Sequence, residues 1–490
     1  MNAPDRHAAV ISVPAGHFID NRFVPAADAR TLPMIDPSDG APFAAIARGT
    51  AADVDVAVQA AQRARMGAWG RLAPAERGRR LMALSNAIRE HADELARIEA
   101  RDCGKPLSQA RADAAACARY FEFYAGAPDK LHGETLPYAE GYAVLTWREP
   151  HGVTGHVIPW NYPLQIFGRS VGAALAAGNA CVVKPAEDAC LSLLRVAELA
   201  AETELPPGTL NIVTGLGAEA GAALVAHPGV AHVSFTGSPQ TGAQVGAVAA
   251  ARHCPVTLEL GGKSPQIVFA DADLEQALPA VVNAIVQNAG QTCSAGSRLL
   301  VERSIYEEVL ARLAERFVRL VSAPAFADRD CGPLIRASQR DRVADFLDDA
   351  TKQGIEIVAR GTIASDAPSA GYYVAPTLLR DVPARSRLAC DEVFGPVLAA
   401  MAFDDEAHAI VLANGTGYGL VAGVWTRDGG RQMRMARAIE SGQVFVNNYG
   451  AGGGVELPFG GVKHSGHGRE KGFEALYGFT TLKTVVVRHG

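Results

Sequence analysis

The sequence predicts an α/β fold in which strands and helices alternate around a parallel sheet. Six short apolar runs are separated by alanine-rich helical segments, and they cover residues 152–158, 180–183, 209–213, 231–235, 256–260 and 266–269. Repeated strand–helix–strand patterns form parallel sheets with helices on both faces, an architecture that binds dinucleotides. Because 490 residues exceed what one hydrophobic core usually supports, we expect two or three domains.

Local signals before this region predict short strands followed by helices. Residues 18–48 mix apolar runs with Asn, Asp, Gly and Pro, which is typical of strands joined by turns. Thr50 and Asp53 have the spacing of a capping box, and apolar residues then recur at helical spacing. Pro74 opens a second helix, and residues 108–126 form a third. We expect these helices to be scaffold.

Two strand-like segments lie outside the alternating region. Residues 131–150 carry Gly, Pro and Tyr around an extended stretch at 142–147, and residues 481–487 form an apolar run at the C-terminus. An apolar strand needs a partner, because an unpaired edge promotes aggregation. These segments therefore predict a small β element through which the chain forms a homodimer or a homotetramer.

Composition narrows the classes of function. The net charge is −6 and the basic residues are scattered, which argues against a nucleic-acid or anionic-membrane surface. The spacing of the eight cysteines indicates neither a metal site nor a disulfide framework. The apolar run at residues 8–13 is too short for a secretory signal, and no run is long enough to span a membrane. We expect a cytoplasmic protein with a small-molecule substrate.

Three stretches carry the chemistry of a covalent acyl-transfer site. Cys293 lies in a loop of small and polar residues, where Gly290 and Gly296 allow close approach of a reactant. Glu259 ends an apolar strand and precedes two glycines, while Asn161 stands between aromatic and proline residues. Nucleophile, base and oxyanion donor are the three groups that such a site needs. The alternative is that Cys293 is a small buried hydrophobe, as most cysteines of reduced proteins are.

A fourth stretch suits a bound phosphate. The dinucleotide fingerprint of three spaced glycines is missing, since Gly215-Leu-Gly217 with Gly221 matches it poorly. Phe235-Thr-Gly-Ser-Pro-Gln-Thr-Gly242 instead reads as a strand end, a tight turn and a helix start, whose free amides and dipole favour a pyrophosphate. The alternative is an ordinary turn. Because the stretch lacks the Lys-Ser/Thr pair of a P-loop, an NTPase is disfavoured.

Seven stretches, in this order and spacing, resemble the aldehyde dehydrogenase superfamily over nearly the whole chain. They are Pro159-Trp-Asn-Tyr-Pro163, Lys184-Pro-Ala-Glu187, Phe235-Thr-Gly-Ser238, Glu259-Leu-Gly-Gly-Lys263, Gly290-Gln-Thr-Cys-Ser-Ala-Gly-Ser-Arg298, Glu392-Val-Phe-Gly-Pro396 and Pro458-Phe-Gly-Gly-Val-Lys-His-Ser-Gly466. The resemblance implies an aldehyde-dehydrogenase-like α/β fold with three parts. These are a Rossmann-type cofactor domain (1–130 and 151–261), an α/β catalytic domain (262–465) and a small β oligomerisation element (131–150 and 466–490).

The resemblance also implies a nicotinamide cofactor, NAD with NADP possible, and no metal. The residues it assigns to cofactor binding are Ile158, Trp160, Lys184, Glu187, Gly217, Phe235, Gly237, Ser238, Leu260, Glu392 and Phe394. Lys184 and Glu187 would hold the adenosine ribose, although a Lys-x-x-Glu pair is in general often just solvated. Glu392 would hold the nicotinamide ribose. A carboxylate at 187 accepts from two ribose hydroxyls and repels a 2′-phosphate, which favours NAD.

The implied reaction uses three residues of this chain. Cys293 attacks an aldehyde, the Asn161 amide and the Cys293 backbone N–H hold the oxyanion, and hydride transfer leaves a thioester. Glu259 then deprotonates the water that releases a carboxylic acid. Arg298 is interpreted as a structural anchor.

The sequence departs from the family pattern in two places. Many members have a lysine nine residues after the oxyanion asparagine, but here that position is Ser170, preceded by Arg169. Where members shape the substrate mouth, this chain has Ala451 and glycines at 450, 452, 453 and 454. So little bulk predicts room for aromatic or medium-chain aldehydes. The alternative is a loop tip whose glycines serve turns.

Two other functions remain open. A CoA-acylating semialdehyde dehydrogenase passes the acyl group to a thiol, and Glu259 in the hydrolytic position argues against it. A binding or structural protein that kept the fold without turnover, as some lens crystallins did, is disfavoured because Cys293, Glu259 and Asn161 are all present.

Overall fold

The computed structural model describes residues 16–450 and 454–490. The apolar run at 8–13 and the loop residues Ala451, Gly452 and Gly453 lie outside the described residues. The described strands are β1 (His17–Ile19), β2 (Arg22–Val24), β3 (Thr31–Ile35), β4 (Pro42–Ala47), β5 (Thr135–Leu136), β6 (Tyr142–Pro150), β7 (Val153–Ile158), β8 (Ala180–Pro185), β9 (Leu210–Ile212), β10 (His232–Thr236), β11 (Val256–Glu259), β12 (Pro265–Val268), β13 (Arg298–Glu302), β14 (Val321–Ser322), β15 (Ile357–Arg360), β16 (Thr362–Ile363), β17 (Thr377–Leu379), β18 (Val397–Phe403), β19 (Tyr418–Gly419), β20 (Val421–Trp425), β21 (Gln443–Val446), β22 (Val462–Lys463), β23 (Gly466–His467) and β24 (Thr480–Arg488). The described α-helices are α1 (Ala51–Met66), α2 (Pro74–Glu90), α3 (Ala92–Cys103), α4 (Leu107–Ala125), α5 (Pro163–Ala176), α6 (Leu191–Glu202), α7 (Ala222–Ala226), α8 (Pro239–Ala251), α9 (Leu274–Val286), α10 (Tyr306–Phe317), α11 (Ala337–Lys352), α12 (Arg387–Cys390), α13 (Glu406–Asn414), α14 (Gly429–Ala438) and α15 (Glu474–Gly478).

The first sheet is the predicted parallel sheet. Its strand order is β2-β1-β9-β8-β7-β10-β11-β23, and the five strands from β9 to β11 run parallel. Each of these five strands coincides with one of the first five apolar runs of the sequence. Helices α1, α5, α6 and α8 pack against these strands. The α/β prediction is confirmed, and the carboxyl ends of these strands carry Asn161, Glu187, Gly237 and Glu259 just beyond or at their last residues.

The sixth run belongs to a different sheet, so its grouping with the other five was wrong. Strand β12 lies inside a seven-stranded sheet of order β15-β17-β18-β13-β12-β20-β21, which is parallel except for β15. Alternation of strand and helix signals cannot tell where one sheet ends and the next begins. This second sheet has its own buried core, and the loop with Cys293 enters it at β13.

The two outlying strand-like segments pair with each other. Strand β24 runs antiparallel to β6 over nine residue pairs, from Thr480 opposite Pro150 to Arg488 opposite Tyr142, and β5 adds a third strand. The partner of the C-terminal strand therefore lies in the same chain. Apolar side chains of this small sheet remain exposed, among them Trp147, Leu482 and Val486. Strand β23 (Gly466–His467) was predicted to belong to this small β element, but it pairs with β11 in the first sheet.

The predicted helix signals at the N-terminal side are confirmed with small shifts. Asp53 accepts hydrogen bonds from the Thr50 backbone N–H and hydroxyl, both at 2.8 Å, which is the capping box that starts α1. Pro74 is the first residue of α2, and the third predicted helix is α4. In residues 16–450 and 454–490, no helix is long and apolar enough to cross a lipid bilayer.

Candidate active site

Two clefts meet at Cys293, which lines both of them. The narrow cleft has a volume of about 70 Å³ and is lined by Tyr120, Tyr162, Gln165, Ile166, Arg169, Asn283, Ala284, Gln287, Thr292, Cys293, Ser294, Tyr449, Gly450, Phe459 and Lys471. The wide cleft has a volume of about 390 Å³ and is lined by Pro159, Trp160, Asn161, Thr236, Gly237, Ser238, Pro239, Gln240, Leu260, Gly261, Cys293, Arg336, Gln339, Arg342, Glu392, Phe394 and Tyr418. The volume of the wide cleft lies in the range of small-molecule sites. A sulfur at this junction can contact ligands that enter from either side.

The Cys293 thiol is protonated in its present surroundings. Burial raises the pKa of this thiol to about 12, although the nearby Arg169 charge and the Ser294 backbone amide act in the opposite direction. Cys293 is nevertheless partly exposed, unlike most cysteines among the described residues. A reaction at this sulfur therefore needs a group that removes its proton.

Glu259 is a buried carboxyl whose charge acts on Cys293. It is the last residue of β11 and is 2% exposed, and neither carboxyl oxygen has a hydrogen-bond partner among the described residues. Burial raises the pKa of Glu259 well above its ordinary value, the Arg169 charge lowers it, and the Glu470 charge raises it. Glu259 itself lines neither cleft. A buried carboxyl without partners destabilises the fold, which is typical of a group kept for function.

The Asn161 side chain reaches the Cys293 loop. Its amide donates to the Gln291 carbonyl over 3.0 Å, and Asn288 donates to the Asn161 carbonyl over 2.9 Å. A primary amide has two N–H groups, so one of them is left for an oxygen held against the sulfur. The loop between β7 and α5 and the Cys293 loop are thus fastened to each other where an oxyanion would form.

The two glycines after Glu259 are required by close backbone contacts. A Cβ atom on Gly262 would lie 2.2 Å from the Cys293 carbonyl oxygen, and one on Gly261 would lie 2.3 Å from the Glu392 carboxylate. The Gly262 N–H also donates to Glu392 over 2.9 Å. Burial raises the pKa of Glu392 to about 7. These contacts bring together stretches that are far apart in sequence.

The wide cleft has aromatic walls and a helix N-terminus. The rings of Trp160 and Phe394 meet edge to face, with centroids 5.4 Å apart, and Phe394 holds a positive φ of 59°. Gly237 and Ser238 lie at the start of α8, where the Ser238 hydroxyl accepts from the Thr241 N–H over 3.2 Å. Leu260 lines the same cleft. Amides at this helix start suit a phosphate.

A shallower cleft adjoins the wide cleft through Arg336, which lines both. Glu187 lines it, and the Lys184 ammonium donates to the Glu187 carboxylate over 2.8 Å. Burial opposes ionisation of Glu187, but the Lys184 charge and hydrogen bond outweigh it and lower the pKa of Glu187. Gly217 follows Leu216 of this cleft, and a side chain there would meet open space. The wide and shallow clefts together could hold one elongated ligand.

Four of the predicted cofactor residues, Ile158, Lys184, Gly217 and Phe235, do not line the wide or the shallow cleft. Ile158 is 2% exposed and Phe235 is 4% exposed, and both belong to the core of the first sheet. A Cβ atom on Gly237 would lie 2.6 Å from the Phe235 ring, so this ring supports the turn from below. We find no described cluster of His, Cys, Asp or Glu placed to hold a metal. Arg298 donates to the carbonyls of Lys263, Leu412 and Ala413, as expected of an anchor.

A buried polar chain occupies the place of the missing lysine. Arg169 forms an ion pair with Glu470, which accepts from the Ser234 hydroxyl over 2.7 Å. Ser234 in turn accepts from Ser170 over 3.0 Å, and Ser170 is bonded to the Nδ1 atom of His156 over 2.7 Å. Since the Ser170 proton points to Ser234, His156 must donate to Ser170. Burial lowers the pKa of His156 to about 3, which agrees with a neutral ring.

Arg169 and Ser170 stand out in the sequence as departures from the family pattern, but their partners do not. Glu470 lies 236 positions from Ser234, and no local pattern connects them. Another buried charge was also missed: Lys105 pairs with Glu99 over 2.9 Å and with Asp113, beneath the ring of Tyr162 at 4.3 Å. Glu99 further accepts from the Leu164 N–H over 3.0 Å, which fixes the start of α5. A lysine after Gly104 carries no sequence signal for this role.

A model of the aldehyde dehydrogenase family matches residues 23–485. The chain belongs to this family. Among aldehyde dehydrogenase relatives, the chain is 42% identical over 473 residues to the NADP/NAD-dependent aldehyde dehydrogenase PuuC of Escherichia coli, with 96% of this chain and 94% of that protein covered. It is 40% identical over 469 residues to hydroxyisobutyraldehyde dehydrogenase of Mycolicibacterium austroafricanum, with 96% and 92% covered.

Solved aldehyde dehydrogenase structures share the whole fold. One is described as a putative aldehyde dehydrogenase from Burkholderia cenocepacia; it is 70% identical with a TM-score of 0.97, and 97% of this chain and 100% of that chain are covered. The NAD⁺ complex of an aldehyde dehydrogenase from Bacillus cereus is 38% identical with a TM-score of 0.95, and 98% of each chain is covered. The family resemblance and the fold class drawn from the seven stretches are confirmed.

Proposed function

We propose that this aldehyde dehydrogenase family member is an enzyme that oxidises an aldehyde to the carboxylic acid with NAD. The observation that carries the proposal is the position of Cys293 at the junction of two clefts, where Asn161 lines one of them and the charge of the unpartnered Glu259 carboxyl acts on the sulfur. One cleft would deliver the aldehyde to the sulfur and the other a redox cofactor. A base and an oxyanion donor then complete the set for covalent catalysis.

The residues act in sequence in this proposal. Glu259 takes the Cys293 proton and releases it to solvent before deacylation, and the thiolate adds to the aldehyde carbon to form a thiohemiacetal. The free N–H of Asn161 and the Cys293 backbone N–H hold the oxyanion. NAD, when bound, would supply the hydride acceptor for this carbon. The product is a thioester on Cys293, and Glu259 removes a proton from the water that adds to it, so that the C–S bond breaks and the acid leaves.

The residues proposed to hold NAD fall into two groups along the wide and shallow clefts. The pyrophosphate and nicotinamide portion would contact Trp160, Gly237, Ser238, Leu260, Glu392 and Phe394, which line the wide cleft. Ile158 and Phe235 would support this part from the core. The adenosine portion would lie at the shallow cleft, near Lys184, Glu187 and Gly217. The open space beside Gly217 and the positive end of the α8 dipole fit such a ligand.

NAD is proposed over NADP because Glu187 is ionised and faces the shallow cleft. A carboxylate there repels a 2′-phosphate, and each ~1.4 kcal/mol of repulsion is a tenfold preference. Lys184 and Arg336 reduce this repulsion. Comparison of kcat/KM for NAD and NADP at one aldehyde tests the point, and equal values would refute it. PuuC, by its name, uses both cofactors.

The proposed substrates are aromatic or medium-chain aldehydes. Support comes from the aromatic side chains that line the narrow cleft, among them Tyr120, Tyr162, Tyr449 and Phe459. Gly450, which also lines it, adds no bulk. Apolar area buried there contributes about 25 cal/mol per Å². A higher kcat/KM for acetaldehyde than for benzaldehyde and hexanal would contradict this preference.

One assay separates the proposed function from its alternatives. Purified protein is incubated with NAD and a panel of aldehydes, with and without CoA, while NADH absorbance is followed. NADH that forms equally well without CoA is the expected result, since Glu259 can activate water. A strict need for CoA would indicate an acylating enzyme, and no NADH with any aldehyde would indicate a binding or structural role.

We also propose the three-part organisation of the chain, a homo-oligomeric state and a cytoplasmic location. Exposed apolar side chains on the β5, β6 and β24 sheet support a dimer or a dimer of dimers, because they would be covered by a second copy. Free thiols throughout the described residues are usual in a reducing compartment. Light scattering after size exclusion measures the oligomeric mass, and a monomer at micromolar concentration would contradict the proposal.

A further inference from the structure

Three side-chain amides line the narrow cleft. They belong to Gln165 on α5 and to Asn283 and Gln287 at the C-terminal end of α9. Each carboxamide can donate two hydrogen bonds and accept others, and an amide that faces a ligand without a matching group lowers affinity. The three amides therefore restrict the chemistry of the molecule that this cleft binds.

The orientation of the Gln165 amide is determined by its neighbour. Its Nε2 atom donates to Asp113 over 2.5 Å, and Asp113 is 2% exposed and forms an ion pair with Lys105. An ionised carboxylate only accepts hydrogen bonds, so the NH₂ group of Gln165 must be the group that faces it. The Gln165 Oε1 atom accepts no hydrogen bond from the described residues. It is thus left as an acceptor on a side chain that lines the cleft.

The other two amides lie on one side of α9. The Gln287 backbone N–H donates to the Asn283 carbonyl, so helical spacing continues to Gln287 although α9 ends at Val286. Residues four apart on a helix are neighbours on its surface. In the described part of the chain, neither side-chain amide has a hydrogen-bond partner. Both amides can therefore donate to a ligand in the cleft.

Two phenol groups of the cleft are already bonded within the protein. The Tyr162 hydroxyl bonds to the Thr292 hydroxyl over 2.9 Å, and the Tyr449 hydroxyl donates to the Ser294 carbonyl over 2.5 Å. The rings of these tyrosines thus present apolar faces to the cleft, and the amides are available for hydrogen bonds with a ligand.

A hydroxyl group complements this set of amides. It donates one hydrogen bond, for which Gln165 Oε1 is an acceptor, and it accepts from the N–H groups of Asn283 and Gln287. A carboxylate can only accept, so it would leave Gln165 Oε1 without a donor. The wall also needs no anion at Arg169, because Glu470 forms an ion pair with it. An alkyl group would leave all three amides without partners.

We propose that the narrow cleft contains a hydroxyl subsite formed by Gln165, Asn283 and Gln287, and that the aldehyde it takes carries an alcohol group away from its carbonyl. The Gln165 Oε1 atom accepts from this alcohol, the amides of Asn283 and Gln287 donate to it, and the aromatic side chains contact the carbon skeleton. The alcohol is bound and is not oxidised. The substrate class is thus the hydroxylated aromatic or medium-chain aldehydes. This inference rests on the proposed aldehyde oxidation and narrows its substrate.

The test compares each hydroxylated aldehyde with the counterpart in which a methyl group replaces the hydroxyl, so that size and shape stay nearly constant. The pairs are 4-(hydroxymethyl)benzaldehyde with 4-ethylbenzaldehyde, and 7-hydroxyheptanal with octanal, each with saturating NAD. An apolar cleft would favour the methyl members, because burial of a methyl group is favourable. The hydroxyl subsite predicts instead that kcat/KM favours the hydroxylated member roughly five- to fiftyfold in at least one pair. Equal values, or a preference for the methyl member in both pairs, would overturn the subsite.

Variants assign the preference to the amides. Gln287→Met and Asn283→Leu nearly keep the size of each side chain and remove its amide, so each should lower the hydroxyl-to-methyl ratio of kcat/KM roughly threefold or more. A loss of structure would instead lower kcat/KM for both members of a pair alike. Gln276→Met is the matched control and should leave the ratio unchanged, because Gln276 is an exposed amide of the same helix that lines neither cleft. An unchanged ratio in both amide variants would refute the subsite.

The same measurements separate failure of the subsite from failure of the proposed function. If the methyl members are oxidised and the hydroxylated members are not preferred, aldehyde oxidation stands and the hydroxyl subsite is wrong. If no member of either pair yields NADH, the proposed function itself fails, and the inference fails with it.

Discussion

The two clefts that meet at Cys293 are built in different ways. The wide cleft is lined mainly by four short stretches around residues 159–161, 236–240, 260–261 and 392–394, the first three at the end of a strand and the fourth between α12 and β18, together with two side chains of α11. The narrow cleft is lined by single side chains from α4, α5 and α9 and from loops near the C-terminus. A turn that binds a ligand through backbone amides needs particular residue types to keep its conformation, whereas a wall of helix side chains can be built from many different residues.

The clefts also differ in charge. The wide cleft is lined by two arginines, Arg336 and Arg342, and by one carboxylate, Glu392, whose pKa burial raises to about 7, whereas no carboxylate lines the narrow cleft. The narrow cleft presents two cations, Arg169 and Lys471. This difference indicates that the two sides recognise different chemistry, and that Cys293 alone has to serve both.

Replacing the shared residue should remove the function of both clefts together. Cys293→Ser is expected to lower kcat on the order of 10⁴–10⁶-fold, because a hydroxyl is a poor nucleophile here and no other cysteine lies at the junction. Steady-state NADH formation measures the loss. Cys390→Ser is the control, since Cys390 is also partly exposed but lines neither cleft. Retention of more than a few per cent of activity in Cys293→Ser would contradict the assignment.

The largest structural effect is expected beneath the narrow cleft. Lys105→Met leaves Glu99 and Asp113 buried without their cation, which should reduce the free energy of unfolding by about 3–5 kcal/mol. Chemical denaturation followed by tryptophan fluorescence measures the change. Lys130→Met, which removes an exposed ion pair with Asp129, is the matched control and should have little effect. Equal losses in the two variants would show that the buried cluster is unimportant.

Asn161 faces the wide cleft, yet it should act on the aldehyde oxygen. Asn161→Ala is expected to lower kcat roughly 10²–10³-fold, the usual effect of losing one oxyanion donor. The KM for NAD should change much less than kcat. Asn448→Ala removes an exposed amide that bonds to Val446 and serves as the control. An effect on the KM for NAD alone would place Asn161 in cofactor binding instead.

The smallest effect is expected from Arg169, which lines the narrow cleft and acts on Glu259. Arg169 lowers the pKa of Glu259, which must be ionised to act as a base and whose pKa burial raises. Removing Arg169 therefore moves the rise of kcat with pH to higher pH. Arg169→Gln should lose roughly tenfold in kcat at pH 7, the size expected for about 1.4 kcal/mol in ionisation, and recover in alkaline buffer.

A paired variant distinguishes this electrostatic role from loss of structure. Glu470 raises the pKa of Glu259, so adding Glu470→Gln to Arg169→Gln removes both opposing charges. The pH profile of the double variant should return towards that of the wild type. A profile identical to that of Arg169→Gln alone would contradict the electrostatic explanation.

Part of the fold and of the candidate site could be predicted from the sequence, because it depends on residues that lie close together in the chain. The capping box of Thr50 and Asp53 was predictable because both groups lie within one helical turn. The turn at Gly237 and Ser238 was predictable because a strand, a turn and a helix start follow one another. In such cases the interacting atoms are close in the chain, and the residue types reveal the conformation.

The remaining features depend on contacts between distant segments. Ser234 and Glu470 meet only because β10 and the C-terminal segment pack together, and Lys105 needs the folded arrangement of α3 and α4. Periodicity could not show that the run at 266–269 enters a second sheet. Nor does a resemblance to the family reveal that Ile158 and Phe235 lie in the core rather than at a cleft surface. Tertiary packing decides each of these.

The central claim is that Cys293 carries the acyl group and Glu259 releases it. The most direct test is intact-protein and peptide mass spectrometry of Glu259→Gln after mixing with NAD and an oxidisable aldehyde. We predict a burst of about one NADH per active site, and an added mass equal to the acyl group on the peptide that contains Cys293. An adduct on any other cysteine, or continued turnover without an adduct, would contradict the account.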